Sequence, residues 1–294
     1  MIVRPFPAGA IAVPQSVHAL LAFQLADHWG NRATPRPAPR AEVLAAVMLH
    51  DSGWDGRDEP PRLGPDGAPL AFDSWPAPEH EAIWRSGIER AAAHGRYVAW
   101  LVSHHASMLA RGSSPAAHAG FLAAEEQRRA ALAADLAADP RHRQLLATGA
   151  DAVNRAIVRI TDALAVHLIL GLAAPLTIPE LPRRSGPVPL EIEPLGEDRV
   201  RLRPWPFAGP RLTVSVEARQ LPTTRFADPA ALSEGGDARG VLRSSSMVER
   251  SAVNRRVGGS SPSCGANFFS GGPASGAPWR PMLQTPRTPS ARRE

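Results

Sequence analysis

The sequence predicts a mainly α protein: a helical bundle, a small antiparallel β-sheet appended to it, and an unstructured C-terminal tail. Three observations carry this. Apolar residues recur at three- and four-residue spacing in segments between Pro14 and Pro175. From Pro187 the period changes to two. Beyond about Thr223, Gly, Ser, Pro and Arg dominate without apolar periodicity, the composition of a chain that cannot bury enough surface to order itself. The 294 residues, 44% of them hydrophobic, are enough for a sizeable core.

Residues 1–13 read as a short strand or extended arm. Val17, Leu20, Leu21, Gln24, Leu25 and His28 then trace an amphipathic helix, with Ser16 as its candidate cap and His18 in its first turn. The segment 31–40 holds three prolines and reads as a loop. A second helix opens at Ala41 and finishes at His50-Asp51, where Gly53 stops it. Residues 52–79 are rich in Pro, Gly and Asp, with Trp54, Phe72 and Trp75 among them, and read as a loop that packs down as a lid. Helices follow over His80–His94 and Tyr97–Ala110. Another starts at Ser114-Pro115 and runs to about Ala138, with Glu125 to Arg129 on a solvated face. Asp151 caps the last core helix, which carries Asp162 near its middle.

The sheet is expected over about 187–219, from Leu190–Glu193, Val200–Arg203 and Leu212–Glu217, with the N-terminal arm as a candidate further strand. A globular unit at 1–222 and a low-complexity tail at 223–294 follow. Within the tail, residues 245–267 (Ser-Ser-Met-Val-Glu-Arg onward) resemble the peptide obtained by translating a transfer-RNA gene, which implies read-through into a neighbouring gene.

Charge and composition exclude several roles. The formal net charge is +5 and all of the basic excess is Arg, since Lys is absent. Nine Arg and two Glu lie from Arg239 onward, so that segment carries +7 and the remainder −2, which argues against a nucleic-acid partner for the folded unit. A single cysteine, Cys264, leaves no intrachain disulfide and no Cys-based zinc site, and fits a reducing cytoplasm. The longest apolar run, 163–176, is interrupted by His167 and is too short for a membrane span of ~20 residues. A small-molecule substrate is the expected partner, with neither nucleic acid nor membrane.

All ten histidines fall between His18 and His167. His18, His50-Asp51, His104 or His105, and Asp162 stand on four different predicted helices, and a bundle brings such side chains together at its centre. His104 and His105 point about 100° apart, so one of them faces that centre. An N/O donor set of this kind suits a divalent Mn, Fe, Zn, Co or Mg ion. Such an ion acidifies bound water and polarises a phosphoryl oxygen, with Asp51, or whichever of His104 and His105 faces the centre, assisting proton transfer. Arg85 and Arg90 are candidates for holding a substrate phosphate. His28 reads as a helix-end residue satisfied by a carbonyl, His118, His142 and His167 as surface or packing residues, and the tryptophans at 54, 75, 84 and 100 as core residues.

A His, a His-Asp pair 32 residues later and a distant Asp resemble the HD superfamily of metal-dependent phosphohydrolases. That resemblance implies an HD-like bundle with His18, His50, Asp51 and Asp162 as metal ligands, and hydrolysis of a phosphoester metabolite or nucleotide. A closer resemblance joins Gln15-Ser16-Val17-His18, His28-Trp29-Gly30, His50-Asp51-Ser52-Gly53-Trp54, Ile83-Trp84-Arg85-Ser86-Gly87-Ile88, Ser103-His104-His105 and Trp205-Pro206-Phe207. Together they are similar to the bacterial domain of unknown function 3891 family. This similarity implies His105, not His104, as the aligned histidine. Ala165 departs from the serine frequent there and changes no proposed ligand. A dinuclear site recruiting His80, His94 or His105, with Asp51 as the bridge, would permit di-iron oxygenase chemistry, and a non-catalytic metal or ligand sensor is the third expectation.

Overall fold

The computed structural model describes residues 1–242 except 8, 59, 60, 197, 198 and 236–238, together with 247 and 248. About half of the described chain is helical, accompanied by two small sheets. Strands β1 (Ile2–Phe6) and β2 (Gly9–Val13) form a hairpin, followed by α1 (Gln15–Asp27), α2 (Arg40–Leu49), α3 (Ala77–Ala92), α4 (Arg96–Ser113), α5 (Ala119–Leu136), α6 (Pro140–Ala147) and α7 (Asp151–Leu170). After these come β3 (Leu176–Leu181), β4 (Val188–Pro194), β5 (Val200–Arg203), β6 (Arg211–Leu212), β7 (Val216–Leu221), α8 (Pro229–Gly235), β8 (Arg239–Leu242) and β9 (Met247–Val248).

Helix α1 packs on α2 and α7, α2 packs on α4 and α7, and α4 packs on α7, so these four share one core. Leu21, Leu25, Val43, Val47, Leu101, Ile157, Ile160 and Leu164 are buried in it. Helices α3 and α5 lie against α4. The lining is mostly β-branched and aliphatic, and removing each such side chain from water contributes roughly 1.5–3 kcal/mol.

The expected single sheet is instead two. One has the order β1-β2-β7-β8, the other β3-β4-β5-β9-β6, and every pairing is antiparallel except β5 with β9. The alternating stretch Leu212–Glu217 does not stay in one sheet: Leu212 ends β6 and Val216 opens β7. The N-terminal hairpin takes β7 as its neighbour, pairing Ala10 with Leu221. Strand β3 went unforeseen because Pro179 lies inside it. The register shifts between Ile178 and Leu181, with Glu180 at φ 60°, and a proline that cannot donate to the ladder is accommodated at such an irregularity.

Other boundaries move for local reasons. Ser114-Pro115 does not start α5; residues 115–118 form a turn and the helix begins at Ala119. Residues 140–147, without a helical expectation, form α6, capped by the Asp139 side chain, which accepts from Arg141 N at 2.9 Å. The face Glu125–Arg129 is only partly solvated. Glu125 and Arg129 are buried, and Arg129 donates to Ser103 Oγ and Ser107 Oγ at 2.9 and 2.7 Å, while Ser103 Oγ donates to Glu125 at 2.9 Å. Regular structure continues past residue 222 in α8 and β8. The transfer-RNA-like reading of 245–267 lies outside the described residues apart from 247 and 248.

The described residues of the 52–76 segment bring Trp54 and Trp75 down onto α3. Trp54, Trp75 and Ile83 form a small buried cluster, with Leu70 and Phe72 against it. The Asp58 carboxylate accepts from Gln15 N at 2.7 Å, joining this segment to the start of α1. The segment Trp205-Pro206-Phe207 docks on the far end of α1: Gly30 N donates to Pro206 O and Ala208 N to His28 O, both at 2.9 Å. The Asn31 side chain adds bonds to Trp205 O and Phe207 O.

A short 3-10 turn, Ser52–Trp54, follows α2 and lies directly on α3. A Cβ at Gly53 would stand 1.9 Å from Ile83 O, and one at Gly87 would stand 3.2 Å from Gly53 N. Gly53→Ala is therefore expected to lower unfolding stability by about 1–3 kcal/mol, the range for overpacking. Gly120→Ala, where a Cβ meets nothing within 4 Å inside α5, should instead gain up to about 1 kcal/mol. Urea melts of the two variants beside the parent check both signs.

Candidate metal centre

Each candidate residue reaches the middle of the four-helix core from its own element. His18 lies in the first turn of α1, with its backbone N–H on Pro14 O. His50 is the residue that ends α2, still in helical conformation, and Asp51 (φ −111°, ψ 14°) turns the chain into the 3-10 segment. The two neighbours thus present side chains toward one point. The Gly53–α3 contact holds that turn in place. His105 projects from the middle of α4 and Asp162 from the middle of α7.

The structure brings His18, His50, Asp51, His105 and Asp162 together. His18 Nε2 lies 3.3 Å from His50 Nε2, 3.0 Å from Asp162 Oδ1 and 3.7 Å from Asp51 Oδ2. His50 Nε2 lies 3.4 Å from Asp51 Oδ2 and 3.5 Å from Asp162 Oδ1. For a cation bound at the usual distances to nitrogen and oxygen, neighbouring donors stand about 2.9–3.6 Å apart. The cluster matches that spacing at nearly every edge, so these side chains can hold an ion with little rearrangement. His18, His50 and Asp162 satisfy the donor geometry most tightly.

His105 meets the group from the other side. Its Nε2 is 3.5 Å from Asp162 Oδ2, whereas Asp162 Oδ1 faces His18 and His50. Both ring nitrogens of His105 are buried without a hydrogen-bond partner among the described residues. The side chains of His18 and His50 are 0% exposed, against 9% for Asp51 and 14% for Asp162, so access to the cluster is on the carboxylate side.

Electrostatics favours a cation here. Burial alone would depress the His50 imidazolium, but the charges and hydrogen bonds of Asp51 and Asp162 outweigh it and hold its pKa well above 6.5. Burial raises both carboxyl groups; the neighbouring imidazoles overcome this, holding Asp51 below and Asp162 well below the ordinary aspartate value. His105 goes the other way, pushed down to about 4 chiefly by burial and only partly opposed by Asp162. The two carboxylates carry −2, and a divalent ion among neutral imidazoles brings the sum to zero. The His50 Nδ1–H donates to Val47 O at 2.6 Å, which orients the ring with Nε2 toward the cluster, a common outer-shell arrangement for metal-binding histidine.

The remaining sequence candidates lie elsewhere. His80 donates from Nε2 to Phe72 O and stacks on Trp84, and His94 bonds Arg90 O at the end of α3, so neither adds a donor to the group. His28 bonds Gln24 O. His118 pairs with Glu81, and His142 with Glu42 and Asp139. Arg85 pairs with Glu81 and covers the Phe121 ring, while Arg90 pairs with Asp55. His104 packs its ring on Trp100, and burial with Arg155, Arg129 and Arg111 pushes it down to about 3.

Sequence reasoning overlooked a cavity of ≈ 520 Å³ between α4, α7 and the β3–β4 connection. Arg111, Arg155, Arg159 and Arg183 line it, with His105 shared between its wall and the donor cluster. The available signal was Arg155, Arg159 and Asp162 at i, i+4 and i+7, one face of a helix.

No curated protein and no solved structure significantly matches the chain. The profile of the family described as "Protein of unknown function (DUF3891)" matches residues 1–223, a span that holds every donor of the cluster and both motifs of the α1 docking. The chain belongs to the DUF3891 family.

Proposed function

We propose that this domain is a metal-dependent hydrolase of the HD type, acting on a phosphoester metabolite or nucleotide. The observation that carries the reading is the convergence of His18, His50, Asp51 and Asp162 from three separate helices at metal-ligand spacing. The same four residues are those implied by the resemblance to the HD superfamily. A divalent ion in this N/O set supplies acidified water and polarisation of the phosphoryl oxygen.

The chain's own residues supply the rest. Asp51 and Asp162, at the accessible edge, orient the attacking water. In hydrolysis the water oxygen bonds to phosphorus, the ester P–O bond breaks, and the water's proton passes through Asp51 to the leaving oxygen. His105 stays neutral and accepts a hydrogen bond, which positions the water instead of storing its proton. The buried imidazoles exclude bulk solvent from the inner side.

One observation favours a second reading. Asp162 turns Oδ1 to His18 and His50 and Oδ2 to His105, so Asp162, in place of Asp51, would be the residue to hold a second ion if one were bound. A di-iron oxygenase would use that arrangement.

In full-length protein, metal analysis should find about one divalent ion per chain. His50→Ala and Asp162→Ala should lower metal affinity on the order of tenfold or more, and hydrolysis of a phosphoester panel should fall to background. Circular dichroism confirms that the variants fold. Two ions of iron with oxygen-dependent turnover would replace the first reading by the second, and folded protein without metal affinity would remove both.

Binding should also release a proton. The metal-free protein holds it on His50 at neutral pH, and the ion takes its place on Nε2. Calorimetric titration with Zn²⁺ in buffers of different ionisation enthalpy should report about one proton released, with affinity falling about tenfold per pH unit below the raised His50 pKa. Binding without proton release would contradict this.

A further inference from the structure

We infer that the cavity between α4, α7 and the β3–β4 connection is a subsite for a second, non-reacting phosphate group of the substrate, held by the Arg111 and Arg183 guanidiniums. The word "non-reacting" rests on the hydrolase reading; the affinity of the cavity for phosphate does not.

The charge at this place is unbalanced. Four arginines and one acidic residue, Glu180, line the cavity. Two of the arginines are already engaged. Arg155 pairs with Asp151 at 2.9 Å, and Arg159 donates to Pro179 O at 2.8 Å with Glu180 Oε2 at 3.8 Å. The guanidiniums of Arg111 and Arg183 make no hydrogen bond or ion pair among the described residues. Like charges gathered on one wall repel one another, and such crowding is relieved by an anion. Two free planar guanidiniums match phosphate in shape. A phosphomonoester, with a charge of about −1.5 to −2 at pH 7, also fits two such cations better than a carboxylate does.

Helix geometry sets the span. Along α7 the cavity runs from Arg159 back to Ala152, three to ten residues before Asp162. At about 1.5 Å per residue, a group held there sits roughly 5–15 Å along the axis from the proposed metal ligand. His105 stands at the junction of the two places: it lines the cavity and also lies 3.5 Å from Asp162. The substrate that fits is therefore elongated, with one phosphate at the donor cluster and another about 10 Å away.

The probe is inorganic pyrophosphate, titrated calorimetrically into the full-length, metal-free protein. Pyrophosphate should bind, and the double variant Arg111→Gln, Arg183→Gln should lose at least tenfold in affinity while keeping its Zn²⁺ affinity. His50→Ala should keep pyrophosphate affinity within about twofold of the parent, because His50 does not line the cavity. Both arginines are at least partly exposed, so their replacement leaves the core intact. Absence of pyrophosphate binding, or binding that survives the arginine changes, overturns the subsite. Loss of Zn²⁺ affinity is read separately and bears only on the metal centre, so the two failures are distinguishable.

Discussion

Two aspartate carboxylates gathered beside three imidazoles inside a helical core are the constraint on which the rest of this structure depends. Charges taken out of water cost several kcal/mol each unless they are compensated. Asp51 and Asp162 are compensated by His18 and His50 at 3.0–3.7 Å, and their charges hold the His50 pKa well above 6.5. A stable fold alone would be better served by apolar residues at these positions. The cost is understandable if the cluster is kept for binding a cation.

Much of the surrounding architecture fixes the donors in place. The 3-10 turn after Asp51 lies on α3 through a glycine, and the Asp58 carboxylate joins the following loop to the start of α1, one turn from His18. On α4, Ser103 is hydrogen-bonded by buried Arg129 and bonded in turn to buried Glu125, which holds the helix at the residues immediately before His104 and His105. The sheets pack against α1 and α7. Their contribution is to seat Trp205-Pro206-Phe207 on the end of α1, and to line the arginine cavity through the β3–β4 connection. The cluster and the cavity then share one residue, His105, and two helices, α4 and α7.

The five donors were legible in the sequence because each is a polar residue on an otherwise apolar helical stretch, where its presence needs a reason. His50-Asp51 follows Val43–Leu49, and Asp162 follows Ile157 and Ile160. Helical periodicity likewise placed α1, α2, α3, α4 and α7 to within a few residues. What periodicity could not show was pairing between distant segments. Strand β7 takes the N-terminal hairpin as its partner, with Ala10 opposite Leu221, and nothing local distinguishes that choice from continuation of β6. Pro179 concealed β3 because the irregularity that accommodates it is a property of two strands, not one. Glu125 and Arg129 read as part of a solvated face because Ser103 and Ser107, which bond them, belong to α4. Arg111 and Arg183 belong to different elements, and no spacing connects them.

The central claim is that a cation sits among His18, His50, Asp51 and Asp162. Anomalous diffraction from crystals of the full-length protein grown with Mn²⁺ tests it most directly. The account predicts one strong anomalous peak within about 2.0–2.3 Å of His18 Nε2, His50 Nε2 and Asp162 Oδ1. A map with no peak there, in crystals whose cluster side chains are well ordered, would contradict it.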